Sequence, residues 1–353
     1  MYNKSKIAIF RKAGTPVSIE ECSIPELKQG ELLVKNEYVT LCRSDISTYM
    51  GKRIEKSPTI LGHEIVGRIV AVAPGAPAAD LNGMPLHEGK RITWAIYASD
   101  PDSEMSRLGI PQKSPDLFKY GHEQLTETNT LNGGLAEYTI IRKNTPVIVL
   151  SEDVPVNAAA IINCSVSTVA GAIRLTGGVE GKRVALWGIG MMGVIACAQC
   201  REAGAREIIA VDINSERLAL AGRFGATQTM KAGEFDPSLL KADCTIDFSG
   251  NLASMGATVD ALRIGGTAVW VGGVCPQEPI RLDTEKIVRN LYTIKGLHNY
   301  NADDFRAAVS FMEKHHADYP ISELIYDSFT LDQTEEAFRY AIDNNPFRVG
   351  IHF

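Results

Sequence analysis

No stretch of this 353-residue sequence is apolar over the length that a membrane-spanning helix requires, and no tract of clustered Lys and Arg is present. The formal net charge is −6 at pH 7, so the chain lacks the basic surface that nucleic acids and anionic membranes attract. No secretory signal pattern is found near the N-terminus. We therefore expect a cytoplasmic protein whose partner is a small molecule, with no nucleic acid and no membrane.

Cysteine is sparse, and its count is odd. The seven scattered cysteines do not suggest a disulfide framework and favour reduced thiols, some of them metal ligands. Cys197 and Cys200 have C-x-x-C spacing, but they lie among Val, Ile and Ala of a predicted helix. Helix packing therefore explains this pair better than metal or redox chemistry.

The order of the predicted elements indicates an α/β protein of two domains, which the length allows. Residues 7–150 contain short β-like runs separated by Gly, Pro and Asn, which is typical of a mostly antiparallel, loop-rich domain. After Pro155 strands and helices alternate, which predicts a doubly wound parallel sheet. The C-terminal segment from about Asp303 leaves this alternation, and we expect it to fold back onto the first domain. The strands predicted for the second domain are 183–187, 207–212, 244–248, 267–271 and 291–296.

A glycine-rich turn follows the first strand of that second domain. Gly188, Gly190 and Gly193 form G-x-G-x-x-G between an apolar strand and a helix-like run. The pattern predicts a tight turn, close approach of the backbone to a pyrophosphate and close helix packing, in that order.

The next strand ends in an acid, Asp212, 19 residues after Gly193. A carboxylate at this position accepts hydrogen bonds from the ribose hydroxyls and repels a 2′-phosphate, so NAD is the favoured cofactor. Arg217 lies five residues further on, where stacking near the adenine or ribose and a solvated helix position are equally good interpretations.

Candidate metal ligands occur in the first domain. Cys42 precedes Arg43-Ser44-Asp45, and His63 precedes Glu64. A thiolate and an imidazole are zinc ligands, and an adjacent carboxylate can supply an oxygen. Their joint appearance before a dinucleotide fold favours a metal site over ordinary core residues.

These strings resemble the zinc-dependent medium-chain dehydrogenase/reductase superfamily of alcohol dehydrogenases. The same resemblance is carried by the glycine turn, by Gly133-Gly-Leu-Ala-Glu-Tyr138 and by Asn163-Cys-Ser-Val-Ser-Thr168. The resemblance covers nearly the whole chain. It implies a GroES-like catalytic domain in residues 1–154 and 299–353 and a Rossmann NAD-binding domain in residues 155–298. More narrowly, residues 58–64, 117–123 and 298–300 resemble the subgroup associated with phosphonate metabolism.

The resemblance also implies roles for single residues. Cys42, His63 and Cys164 would hold one catalytic zinc, and Glu64 could enter or leave its coordination sphere. Asp45 would orient His63, and Ser44 would hydrogen-bond the substrate oxygen and accept its proton. Arg43 and Arg348 would contact the cofactor pyrophosphate, and Thr168 would lie beside the nicotinamide. A homodimer or homotetramer is expected.

Two departures from the family pattern are visible. Relatives often carry a structural zinc on four cysteines, whereas Asp100, Ser103, Ser106 and Ser114 occupy the aligned positions here. One acid and three hydroxyls make a poor zinc site, so we expect the structural zinc to be absent. Ser47 stands where relatives often have the histidine that completes the proton relay.

The main interpretation is a zinc-dependent enzyme that transfers a hydride between NAD and an alcohol. One alternative is a catalytically silent NAD-binding structural or regulatory member of the same fold, and a second is a zinc-free quinone or enoyl reductase. Four residues fall in segments that border the substrate in relatives and would suit a polar or anionic alcohol, although surface hydrogen bonding explains them equally well. They are Lys119, His122, His298 and Asn299.

Overall fold

The computed structural model describes residues 3–353 and divides into two compact units. The first contains the chain up to Cys164, Asn301–Ala317 and Ile321–Phe353. The second contains Ser165–Tyr300 and Asp318–Pro320. No helix within the described residues has the length and apolar content that a bilayer crossing demands.

Strands dominate the first unit, and strands and helices alternate in the second. The strands are β1 (Lys4–Ile9), β2 (Ser18–Ser23), β3 (Leu32–Leu41), β4 (Glu64–Val72), β5 (Arg91–Trp94), β6 (Tyr97–Ala98), β7 (Phe118–Lys119), β8 (Tyr138–Ile141), β9 (Val147–Val149), β10 (Arg183–Trp187), β11 (Glu207–Asp212), β12 (Gln228–Lys231), β13 (Ala242–Asp247), β14 (Leu262–Trp270), β15 (Thr293–Gly296), β16 (Ile325–Thr330) and β17 (Arg348–His352).

The helices are α1 (Arg43–Tyr49), α2 (Glu104–Arg107), α3 (Val156–Ala160), α4 (Ser167–Leu175), α5 (Met191–Glu202), α6 (Ser215–Arg223), α7 (Leu252–Asp260), α8 (Thr284–Asn290), α9 (Ala302–His315) and α10 (Thr334–Asn344). A π-helical turn, Ile162–Val166, lies between α3 and α4. Short 3-10 turns are Pro111–Lys113, Pro237–Leu239, Ile321–Leu324 and Leu331–Gln333.

The first unit is built on a seven-stranded sheet in the order β16-β17-β3-β4-β5-β9, with β8 also paired to β3. Every pairing in it is antiparallel except that of β16 with β17. The C-terminal strand β17 pairs with β3, so the end of the chain joins this sheet. Two small antiparallel sheets, β1-β2 and β6-β7, complete the unit. The predicted mostly antiparallel domain is confirmed.

The core of this unit follows from the apolar residues of its strands. Leu32, Val34 and Val39 of β3 are buried, and Phe338 of α10 packs into the same cluster. Burial of this kind stabilises by about 25 cal/mol per Å² of apolar surface. It gives the loops that carry the candidate ligands a rigid support.

The second unit contains a six-stranded sheet in the order β12-β11-β10-β13-β14-β15, and all its pairings are parallel. Helices α5, α6 and α7 connect successive strands, which confirms the predicted doubly wound unit. Four of the five residues of β10, Val184 to Trp187, are buried and apolar, because helices cover both faces of a parallel sheet.

Candidate metal centre and dinucleotide loop

Cys42 lies where β3 leaves the sheet and α1 begins. It is the N-cap of α1, and its backbone N–H donates to Asp45 Oδ2 at 2.9 Å. This bond satisfies one of the amide groups that a helix start leaves without an intrahelical partner. It also holds the Asp45 carboxylate beside the thiol.

Asp45 connects the start of α1 to the segment that carries His63. Its Oδ1 accepts the backbone N–H of Gly62 at 3.1 Å and lies 3.2 Å from His63 Nδ1. Both side chains are almost completely buried. Burial alone would lower the pKa of His63, but the charge and hydrogen bond of Asp45 outweigh it and raise the pKa to about 10. Because Nδ1 faces Asp45, Nε2 is the ring atom that remains for a metal.

Close backbone packing fixes the His63 segment, and only glycine fits at two positions beside it. Gly62 has a φ of +83°, in the left-handed region that favours glycine. Gly121 has a φ of +75°, and a Cβ there would lie 2.8 Å from the Gly62 carbonyl oxygen. The family-like Gly-His-Glu string therefore has a steric basis.

Cys164 is presented by the π-helical turn Ile162–Val166, which widens the backbone between α3 and α4. Such turns are often found at functional sites. The preceding residue, Asn163, is fully buried; its Nδ2 donates to the His63 carbonyl at 3.0 Å, and its Oδ1 accepts the Ile65 N–H at 3.4 Å. Asn163 thus ties the Cys164 turn directly to the His63 segment.

The structure brings together Cys42, His63 and Cys164, whose ligand atoms lie within 4.8 Å of one another. The contact with Cys164, and then the positive charge of Arg348, lower the pKa of the Cys42 thiol although its burial opposes this. A thiolate is the form that binds a metal. Two sulfurs and one imidazole nitrogen are a donor set that zinc prefers, and three protein ligands leave a position open, as catalytic zinc sites do.

Glu64 is held beside this group rather than within it. Arg348 donates from Nε to Glu64 Oε2 at 2.7 Å and from Nη2 to Oε1 at 2.9 Å, and Thr40 Oγ1 donates to Oε2 at 2.6 Å. Arg348 is buried in the first unit, with Nη2 3.6 Å from Cys42 Sγ. The roles of Glu64 as a ligand and of Arg348 at the pyrophosphate stay predictions.

The glycine loop in the second unit has the tight turn and the close helix packing that its sequence predicts. Gly188 has a φ of +86°, and a Cβ there would lie 2.7 Å from the Ser249 nitrogen. A Cβ on Gly193 would lie 2.3 Å from the Gly188 carbonyl oxygen, which explains why α5 can pack so close to the turn. A Cβ on Gly190 would meet, among the described residues, only Arg217 Nη1 at 3.8 Å. The backbone at Gly190 is therefore open to a ligand, with a guanidinium alongside.

Asp212, at the carboxyl end of β11, is tied to this loop. Its Oδ2 accepts the Ile189 N–H at 2.6 Å, and its Oδ1 accepts the Asn214 N–H at 2.8 Å. The carboxylate is buried and held in one orientation at the edge of the loop. This fits a dinucleotide whose ribose lies at the end of β11.

Comparison with known proteins matches these features to one family. Residues 28–152 match the alcohol dehydrogenase GroES-like domain, and residues 188–314 match the zinc-binding dehydrogenase domain. The chain is 30% identical over 297 residues to alcohol dehydrogenase class-2 isozyme 2 of Oryctolagus cuniculus, covering 76% of this chain and 77% of that protein. The chain belongs to the zinc-dependent alcohol dehydrogenases of the medium-chain dehydrogenase/reductase superfamily.

Solved structures agree with this fold. An alcohol dehydrogenase from Thermotoga maritima superposes with a TM-score of 0.92 at 24% identity, covering 99% of both chains. Galactitol-1-phosphate dehydrogenase from Escherichia coli superposes with a TM-score of 0.85 at 25% identity, covering 99% of this chain and 100% of that one. As a member of this alcohol dehydrogenase family, the chain is an oxidoreductase, in a family that uses zinc and a nicotinamide dinucleotide.

The other predicted residues of this alcohol dehydrogenase have varied surroundings. Ser44 Oγ lies 3.5 Å from His63 Nε2, on the side of the ring that faces away from Asp45. Arg43 is exposed and bonds to Asn345, whereas Thr168 is buried at the start of α4 in the second unit. His298 and Asn299 belong to the second unit, and Lys119 and His122 to the first.

Several contributing residues were missed by the sequence analysis. Asn163 stands in a family-like motif without a predicted role, and Thr40 has none either. Asn163 directly precedes a candidate ligand, and this adjacency was the available signal. No local pattern marks Thr40 as a partner of Glu64, 24 residues away.

Proposed function

We propose that this chain is an NAD-dependent zinc alcohol dehydrogenase that transfers a hydride between an alcohol, aldehyde or ketone and NAD(H). The observation that carries the proposal is the convergence of Cys42, His63 and Cys164, with His63 oriented by Asp45. We assign zinc to these three residues and keep Glu64 as a carboxylate able to join them. When bound, zinc supplies Lewis-acid chemistry that lowers the pKa of an alcohol hydroxyl or polarises a carbonyl.

Ser44 is proposed to hydrogen-bond the substrate oxygen and to accept its proton. The 3.5 Å distance from Ser44 Oγ to His63 Nε2 supports this role, because Nε2 is the ring atom assigned to the metal. Asp45 positions His63 and selects its tautomer. Ser47 stands where relatives often have the relay histidine and offers no group that titrates near neutral pH, so water is the proposed carrier that takes the proton on from Ser44.

NAD is proposed to bind the second unit at Gly188, Gly190 and Gly193, with Asp212 accepting from the ribose hydroxyls. NAD supplies the hydride acceptor. Arg217 would flank the loop, and Thr168 would contact the nicotinamide. Arg43 and Arg348 would contact the pyrophosphate. We assign residues 155–298 to the NAD-binding domain and residues 1–154 with 299–353 to the catalytic domain, in a homodimer or homotetramer.

The proposed substrate is polar or anionic, of the phosphonate type. Lys119 and His122 of the first unit support this class, and a relative at 25% identity is named for a phosphorylated polyol. The catalytically silent alternative is disfavoured because Cys42, Ser44, His63 and Cys164 are all retained.

A zinc-restoration assay tests the function. Protein stripped of metal and reloaded with zinc should produce NADH absorbance from NAD with at least one alcohol of a panel of neutral and anionic compounds. The stripped protein should produce none until zinc is returned. Binding of NADH without turnover of any alcohol, in protein that holds zinc, would favour the silent alternative.

A further inference from the structure

A buried glutamine lies within the helix that follows the glycine turn. Helix α5 begins after Gly190, and its buried residues from Val194 to Cys200 are apolar apart from Gln199. Only 7% of the surface of Gln199 is exposed, and its Nε2 donates to the Val166 carbonyl at 3.0 Å. Burying an amide costs free energy unless the amide is hydrogen-bonded, so the bond to Val166 compensates for the burial of Gln199.

The acceptor, Val166, is the last residue of the π-helical turn that presents Cys164. The first unit ends at Cys164 and the second begins at Ser165, so the chain passes from one unit to the other within this turn. Cys164 therefore lies two residues before a carbonyl that is held by α5. The other candidate ligands, Cys42 and His63, belong to segments that lie wholly within the first unit.

Two buried amide side chains thus hold the turn, one on each side of Cys164. Asn163 bonds to the backbone of the His63 segment in the first unit. Gln199 bonds to Val166 in the second unit. Of the three candidate zinc ligands, Cys164 is the one carried by an element that extends into the second unit. The position of its thiol therefore depends on how firmly α5 holds the end of the turn.

The same helix carries the proposed pyrophosphate site at its N-terminus, about two turns before Gln199. A helix moves as a rigid element, so a ligand that holds its first turn also restricts the amide of Gln199. We propose that Gln199 is a positioning residue that transmits cofactor binding to the zinc ligand Cys164, so that NAD(H) strengthens the retention of zinc. This inference rests on the proposed function, because it links the two groups, zinc and NAD, that are assigned there.

The test measures the coupling between zinc and NADH. Chelator competition, started from zinc-loaded wild-type protein, should give a zinc affinity about 10-fold higher with saturating NADH than without it, which is a usual size for coupled sites. Gln199→Met keeps the length of the side chain but removes the N–H donor, and it should reduce this gain to within about 2-fold. NADH titration of zinc-loaded and zinc-free protein should give the same coupling factor, because coupling between two ligands is reciprocal.

Thr245→Val is the matched control. Thr245 Oγ1 donates to the Thr258 carbonyl at 3.0 Å, so the variant removes a buried bond of the same kind from the same unit. It should lower the unfolding free energy and keep the full gain in zinc affinity from NADH. An unchanged gain in Gln199→Met, an equal loss of the gain in both variants, or no gain in the wild-type protein would overturn the proposal while leaving the dehydrogenase function intact.

A second variant and a second measurement cover the case in which Gln199→Met does not fold. In the zinc-loaded wild-type protein, NADH should slow the hydrogen exchange of the backbone amides of residues 162–166, and in Gln199→Ala it should not. The amides of β1 are the reference and should not respond to NADH. Exchange that NADH leaves unchanged in the wild-type protein, or slows equally in Gln199→Ala, would overturn the proposal. A wild-type protein that binds neither zinc nor NADH would instead refute the proposed function.

Discussion

Two cysteines show how single residues of the same type differ in chemistry. Cys42 lies against Cys164 and Arg348, which lower the pKa of its thiol. Cys197 lies inside α5, where burial raises the pKa of its thiol to about 12. The first is prepared to ionise and bind a metal, and the second is a packing residue.

We predict that Cys42→Ser loses zinc and turnover together, by about 100-fold or more, because a hydroxyl seldom deprotonates to become a ligand. NADH binding should change little. Cys197→Ser should keep zinc and turnover and lose only about 1–3 kcal/mol of unfolding free energy for a buried hydroxyl without a good partner. Metal analysis, a steady-state turnover assay, NADH fluorescence titration and denaturant unfolding measure the four quantities. Full activity in a zinc-free Cys42→Ser protein would contradict the mechanism.

Asp212 combines two tasks in one carboxylate. Its charge is placed at the end of β11, and both oxygens accept backbone N–H groups, one of them from the glycine loop. Removing it therefore affects both cofactor choice and the support of the loop.

We predict that Asp212→Ala narrows the preference for NAD over NADP by about 10-fold or more, because it removes repulsion of the 2′-phosphate. The affinity for NAD should also fall, since Ile189 loses its acceptor. Steady-state kinetics with each cofactor measure the ratio, and Glu216→Ala, which removes an exposed acid of α6, is the control. A wild-type protein that already uses NADP better would refute the assignment.

At the scale of elements, the π-helical turn and β4 are joined by the side chain of Asn163. Its two hydrogen bonds reach the backbone of His63 and Ile65, so the segment with one candidate ligand fixes the segment with another. The turn therefore sets the spacing of the metal centre as well as the path of the chain.

We predict that Asn163→Ala weakens zinc binding by about 10-fold or more and lowers the unfolding free energy of the zinc-free protein by about 1–3 kcal/mol. Asn157→Ala is the control. Asn157 lies in α3, and its side chain accepts a hydrogen bond from Ser322 rather than from the segments that carry the zinc ligands. It should lower stability without changing zinc affinity. Chelator competition measures zinc affinity separately from stability. Equal zinc affinities in the wild-type and Asn163→Ala proteins would assign Asn163 a purely structural role.

The elements also show what sequence could and could not predict. The strands 183–187 and 207–212 are predicted with the observed bounds, because each has a buried apolar run of four residues beside a charged residue at its start. Strand β12 was missed because its sequence, Gln-Thr-Met-Lys, is largely exposed at the sheet edge and has no apolar pattern. The Arg348–Glu64 pair joins residues 284 positions apart, which no local periodicity marks.

At the scale of the whole molecule, the number of metal sites depends on residues 100–114, here called the serine lobe, as well as on the metal centre at Cys42, His63 and Cys164. Ser103 Oγ lies 2.9 Å from Ser106 Oγ and 2.7 Å from Ser114 Oγ, and Ser106 Oγ donates to the Asp100 carbonyl at 2.7 Å. The carboxylate of Asp100 accepts the Asp102 N–H instead of joining the hydroxyls. Hydrogen bonds thus connect the parts of this segment without a metal ligand set.

We predict one zinc per chain. Cys42, His63 and Cys164 form the one group of three or more His, Cys, Asp or Glu ligand atoms that converges within the described part of the chain. Neutral hydroxyls bind zinc poorly, because the ligand must be deprotonated and serine rarely is at neutral pH. Metal analysis of protein purified without chelator should give a zinc-to-chain ratio near one, and Cys42→Ser should reduce it toward zero. A ratio near two in the wild-type protein, with one equivalent surviving in Cys42→Ser, would locate a second zinc outside this centre and refute the interpretation of the serine lobe.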